Sequence, residues 1–152
     1  MSGVKTQRIS CYRFAEFRVQ SSVRGSTVKE TVKQKSKKFA LRIVNLYRYL
    51  TGTHNEFVLS KQILRSGTSI GANIAEAVCG ISGRDFLAKI YIALKEAEET
   101  LYWLDLLKDA DFITEKMYKS LFRDCHDIAK MLNKTTRTMQ EKLDNCTLHS
   151  EL

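Results

Sequence analysis

The stretch Phe57–Leu107, FVLSKQILRSGTSIGANIAEAVCGISGRDFLAKIYIALKEAEETLYWLDLL, decides the fold. Gly80 and Gly83 mark a short turn between two apolar-periodic runs, each long enough to be a helix. In the first run, from about Val58 to Val78, Leu59, Ile63, Ile70, Ile74 and Val78 form an apolar stripe that should face a core. About a third of a turn away, Arg65, Ser69, Asn73 and Glu76 form a polar stripe, and Thr68, Gly71, Ala72 and Ala75 make a third, small face. Only Lys61, Arg65 and Glu76 are charged between Phe57 and Gly80, so the helix lacks an ordinary solvated surface, which predicts burial on more than one side. The second run, capped by Ser82 and reaching about Lys108, places Phe86, Ile90, Leu94, Ala97, Leu101 and Leu104 on one face. Ile92, Trp103 and Leu106 project instead among Asp85, Lys89, Glu96 and Glu99, and large apolar groups among charges predict a second contact surface for self-association.

Outward from this pair, Phe39, Ile43, Leu46 and Leu50 recur at helical spacing in a run from about Glu30 that Thr51 and Gly52 should end. Asp109 to Phe112 reads as a turn, and Thr114 with Glu115 opens a fourth run to about Leu143, in which Met117, Leu121, Cys125, Ile128, Leu132, Met139 and Leu143 hold the period. Proline is absent, and most glycines fall between the runs rather than inside them. Four long helices joined by short turns predict an all-α protein, an antiparallel up-down four-helix bundle over residues 27–145 followed by a short tail at 146–152.

Charge is divided unequally along the chain. Residues 1–38 hold ten Lys/Arg against Glu16 and Glu30, whereas residues 39–152 hold fifteen basic against fifteen acidic side chains. Residues 1–26 therefore read as a basic, flexible leader, suited to a polyanion or merely solvated. Its Arg- and Ser-rich, acid-poor composition also fits a transit peptide or an upstream-start extension. No apolar stretch approaches the roughly 18 residues that span a bilayer, so no membrane partner is expected. Cys11, Cys79, Cys125 and Cys146 form no CxxC pair, which predicts reduced thiols in a cytoplasmic setting.

Catalytic chemistry finds little support. His54, His126 and His149 are scattered, and the adjacent Cys125 and His126 point in different directions on a helix. HExxH, GxSxG and GxxxxGK[ST] are absent, and the glycines of Ser66–Gly71 lie within a helix instead of opening one after a strand. No cofactor and no metal are expected.

The order SIGANIAE (Ser69–Glu76), then Asp85-Phe86, then Glu99-Thr100 before Trp103-Leu104, with Leu59, Gln62, Arg65, Ser66 and Ala93, resembles the four-helix-bundle proteins encoded in intervening sequences of bacterial 23S rRNA genes. The likeness spans about Lys35 to Leu143, 109 of 152 residues. It implies a ring-shaped homopentamer similar to the accessory proteins of diversity-generating retroelements, which bind nucleic acid and a reverse transcriptase, and it brings no catalytic residues.

The expected function is a non-enzymatic homo-oligomer that binds RNA or other nucleic acid through phosphates. The candidate contacts are Lys29, Lys33, Lys35, Lys37 and Lys38 near the start of the first helix, and Lys116, Lys119, Arg123, Lys130, Lys134 and Arg137 on the fourth. Ordinary solvation, with pairs such as Arg123 to Asp127, is the plain alternative. Arg65, Ser69, Gly71, Asn73, Ala75, Glu76, Ile92 and Trp103 are the expected structural or oligomer-forming set, with Arg65, Asn73 and Glu76 largely buried and Gly71 or Ala75 at a close backbone approach. The rival reading is a scaffold or accessory subunit for a protein encoded nearby, such as a reverse transcriptase.

Overall fold

The computed structural model describes residues 30–148, without the side chains of Thr147 and Leu148. The leader at 1–26, Lys29, Cys11, His149 and the last four residues of the tail lie outside the described residues. Four helices form: α1 Val32–Thr53, α2 Leu59–Val78, α3 Gly83–Asp109 and α4 Glu115–Leu148. Among the described residues there is no strand.

Each helix starts where a side chain takes up amide protons that have no partner within the helix. Thr31 and Gln34 form a reciprocal box at α1, the Gln34 N–H donating to Thr31 Oγ1 at 3.2 Å and the Thr31 N–H to Gln34 Oε1 at 2.9 Å. At α2 the carboxylate of Glu56 accepts from the N–H groups of Val58, Leu59 and Ser60 at 2.9, 2.8 and 2.6 Å. Ser82 opens α3 as expected, accepting from Asp85 N–H at 3.1 Å, and Thr114 accepts from Met117 N–H at 3.3 Å at α4.

The helix ends correct the sequence reading in two places. Helix α1 passes through Thr51 and Gly52 and stops at Thr53, where the Leu50 carbonyl accepts from both His54 and Glu56 N–H. The chain then reverses at Asn55 (φ 51°), and at Asp111 (φ 59°) after α3, residue types that tolerate the left-handed region. Helix α4 runs past Asn145 into the expected tail, since nothing between Leu143 and Leu148 breaks a helix.

The core is the one the periodicity marks. Phe39, Ile43, Leu46 and Leu50 of α1 and Ile63, Ile70 and Ile74 of α2 are buried with Phe86, Ile90, Ala97, Leu101 and Leu104 of α3 and Leu121, Cys125, Ile128, Leu132 and Met139 of α4. Leu59, Leu94, Met117 and Leu143 pack at its margin. A fully buried leucine or isoleucine stabilises such a core by about 1.5–3 kcal/mol. Helix α2 packs on α1 and α3, and α4 on α3 and α1, so α2 and α4 stand across the diagonal.

Gly67 and Gly71 lie inside α2, where the sequence reading put them, and Gly52 departs from it by lying inside α1. Within the chain, the tightest glycine contact among the described residues is at Gly67. A Cβ on Gly67 would stand 2.8 Å from Ile43 Cγ1, whereas one on Gly71 would meet Ser36 Oγ at an ordinary 3.5 Å. The buried hydroxyls are all hydrogen-bonded, and one pair ties α2 to α3: Thr100 Oγ1 lies 3.0 Å from Ser66 Oγ and 2.7 Å from the Glu96 carbonyl.

Candidate nucleic-acid interface

Along α4 the core residues Leu121, Cys125, Ile128 and Leu132 fix one side of the helix, and the opposite side is therefore its outermost face. Lys116, Lys119, Arg123, Lys130, Lys134 and Arg137 are all exposed there, on a stripe about 60° wide at 100° per residue. Lys119 pairs with Glu115 at 3.1 Å and Arg137 with Glu141 at 3.2 Å, both one turn apart. Among the described residues Lys116, Arg123, Lys130 and Lys134 have no ion-pair partner. Arg123 and Asp127 do not pair. Asp127 lines the seam between α1 and α4 instead, with Glu30, Lys35, Lys38, Phe39, Asp124 and Ile128.

That seam separates the two expected halves of the basic surface. Lys33, Lys37 and Lys38 are exposed and Lys35 is half-buried. Lys38 is bound to Glu30 at 2.7 Å, and Arg42 reaches across to the Asp124 carboxylate, the Ser120 carbonyl (3.3 Å) and Ser120 Oγ (2.8 Å). Asp124 and Asp127 thus stand between the α1 lysines and the α4 stripe. Repulsion between two facing cationic helices would oppose their packing, and these carboxylates relieve it. Sequence reading missed Arg42, Ser120 and Asp124, because the link joins residues 78 and 82 positions apart with no local signal.

The α2–α3 side has a different character. Within the chain Arg65, Ala75 and Glu76 are exposed, and Ser69, Gly71 and Asn73 are partly covered, so the expected burial of the Arg65–Glu76 stripe is not met within the single chain. The stripe sits on the outer edge of the groove between α2 and α3, beyond the reach of the core. Glu76 accepts from Lys89 Nζ at 2.6 Å, holding α2 to α3, and that carboxylate raises the Lys89 pKa. Asn73 Nδ2 donates to the Ser69 carbonyl of its own helix at 2.9 Å. Arg65 has no ion pair among the described residues, although its charge is felt at Glu96. Partial burial and then Glu99 push the Glu96 carboxyl above its usual range while Arg65 opposes them. Next to these groups Ile92 is 40% exposed. Tyr91 and Tyr102 are exposed too, and Trp103 is half-buried with its indole N–H donating to Glu99 at 3.0 Å.

Among the described residues, no three His, Cys, Asp or Glu side chains stand together as a metal site, and no helix is long and apolar enough to cross a membrane. What the geometry defines is an all-helical bundle with a cationic outer face on α4 and with Tyr91, Ile92 and Tyr102 exposed among charges on α3. The chain belongs to the family of 23S rRNA-intervening sequence proteins, whose family model matches residues 29–134. It is similar in structure to a protein of unknown function from the S23 ribosomal protein family of Bacteroides thetaiotaomicron, with 55% sequence identity, a TM-score of 0.69, and coverage of 70% of this chain and 98% of that one. A comparison with curated proteins finds no match.

Proposed function

We propose that the protein is a non-enzymatic homo-oligomer, a ring-shaped homopentamer of antiparallel up-down four-helix bundles, that binds RNA or other nucleic acid through phosphate contacts. The observation that carries the binding is the α4 stripe. Six cations share the face turned farthest from the core, and four of them have no ion-pair partner among the described residues. Each phosphate neutralised there would release counterions, and affinity would fall steeply with salt. The up-down path is supported by the order of contacts: Glu76 meets Lys89 while Ser66 meets Thr100, and Cys125 lies against Ala97 while Tyr118 meets Asp105. In each pair of helices the partners run in opposite directions. Self-association draws support from exposed Ile92, Tyr91 and Tyr102 beside unpaired Arg65, an apolar patch rimmed by charge.

The test is a titration of mixed-sequence RNA with the full chain and with a chain starting at Val28, at several salt concentrations, alongside the native mass. Binding by both with a steeper salt slope for the full chain assigns phosphate contacts to bundle and leader together. The same α3 patch favours a second reading, an accessory subunit for a protein encoded nearby. Binding to that protein that persists at high salt, with no RNA binding by either form at low salt, would replace the first reading with this one.

A further inference from the structure

The cations of α4 are not evenly spread. Lys116, Lys119 and Arg123 form one triplet and Lys130, Lys134 and Arg137 another, with a step of seven residues between. At 1.5 Å per residue each triplet covers about 10 Å and their centres stand about 21 Å apart. The outward residue in the gap is the exposed His126, since Cys125 faces the core and Asp124 and Asp127 turn to the α1 seam.

Two features narrow the partner. The first triplet lines a shallow depression with Glu115 and Ser120. There Ser120 Oγ accepts from Arg42 Nη2 at 2.8 Å, so its hydroxyl proton remains available to an acceptor such as a phosphate oxygen, and Glu115 at the rim is held by Lys119. The second feature is what the stripe lacks. Binding of single strands relies on aromatic platforms beneath the bases. The aromatics of α4, Tyr118 and Phe122, are half-buried on its flank with ring centroids 5.3 Å apart, away from the stripe. A convex helix face with two cationic patches and a weakly charged gap between them fits two parallel lines of negative charge. A duplex presents that arrangement: two phosphate backbones on either side of a groove roughly 12 Å wide, with the breadth of each backbone added.

We infer that the partner is double-stranded nucleic acid, with α4 laid across a groove so that Lys116, Lys119 and Arg123 hold one backbone and Lys130, Lys134 and Arg137 hold the other. The α4 stripe shares no residue with the α2–α3 set, and α4 stands across the diagonal from α2. Sequence plays no part in such contacts, because they stop at the phosphates.

This inference rests on the nucleic-acid reading above, and one set of titrations separates their failures. The full chain, a K116Q/K119Q/R123Q variant and a K130Q/K134Q/R137Q variant are each titrated with a mixed-sequence DNA duplex of about 20 base pairs, long enough to underlie the whole helix and carrying the groove width invoked above, and with one of its separated strands, beside the RNA titrations of the proposed function. All six positions are exposed, and circular dichroism verifies that each variant stays folded. The expected result is duplex binding at least about tenfold tighter than strand binding, with each variant losing duplex affinity to a similar extent and its log–log salt slope flattening by about 2–3. A strand bound as tightly as the duplex, or either triplet proving dispensable, overturns the duplex arrangement while leaving phosphate binding intact. No binding of either polymer by the full chain at low salt overturns both.

Discussion

At the scale of single residues, space and proton count make distinct demands. Gly67 sits where α2 meets α1, and an alanine there would press its Cβ against both γ-carbons of Ile43, at 2.8 and 2.9 Å. Overpacking of this kind costs about 1–3 kcal/mol, more than the roughly 1 kcal/mol that alanine gains over glycine in a helix. Gly67→Ala should therefore lower the urea midpoint, whereas Gly71→Ala, with ordinary contact to Ser36, should leave it unchanged or raise it. Denaturation of the two variants side by side checks the sign. Glu56 makes a second demand. Partial burial pushes its carboxyl pKa up, but the N–H groups of Leu59, Ser60 and Val58 outweigh it and hold the pKa below the ordinary 4.5. A carboxylate with a depressed folded pKa contributes stability that is complete above its unfolded value and is lost as pH falls through the folded one. Glu56→Gln should thus be less stable than the parent by about 1 kcal/mol at neutral pH, and the difference should shrink below pH 4.5. A gap independent of pH would assign the loss to packing instead.

Between elements, the buried hydroxyl pair gives an asymmetric expectation. Thr100 keeps the Glu96 carbonyl as a partner if Ser66 becomes alanine, whereas Thr100→Val strands the buried Ser66 hydroxyl. Stranding a buried polar group costs about 1–3 kcal/mol, so Thr100→Val should destabilise more than Ser66→Ala, and the double variant should recover part of the loss. Thermal melts of the three variants decide it. This scale also shows what the sequence made legible. The stripes from Phe39 to Leu50, Leu121 to Leu132 and Ile63 to Ile74 pointed to the core because burial follows the 3.6-residue period directly. Ser82 and Thr114 were readable because a cap is local. The end of α1 was not, since Thr51 and Gly52 have no strong stop and the halt comes from the shared Leu50 carbonyl and the positive φ of Asn55. Nor was the Glu56 cap, whose Glu type is unusual in that role, or the Arg42 link, which is set only when α1 and α4 meet.

For the whole molecule, the proposed assembly makes Ile92 the most direct probe. Its side chain is 40% exposed in the single chain, so Ile92→Glu should leave the subunit folded while reducing the native mass. Sedimentation together with circular dichroism reads both; an unchanged mass would move the contact away from α3. One buried group has a further use. Cys125 lies fully inside, its Sγ 3.5 Å from the Ala97 carbonyl, and burial, then Glu98 and Asp124, pushes its thiol pKa up to about 12. Only the thiolate reacts with alkylating and disulfide reagents, so the folded chain suppresses the reaction both by access and by protonation. Cys79 and Cys146 are exposed and open to reagent. With Cys11, Cys79 and Cys146 changed to serine, the remaining thiol becomes a stopwatch for the parting of α3 from α4, started by adding reagent and read as mass added per unit time. Its rate in the native protein should be at least about a thousandfold slower than in urea, the ratio a marginally stable domain allows, and should accelerate in step with destabilisation by Thr100→Val.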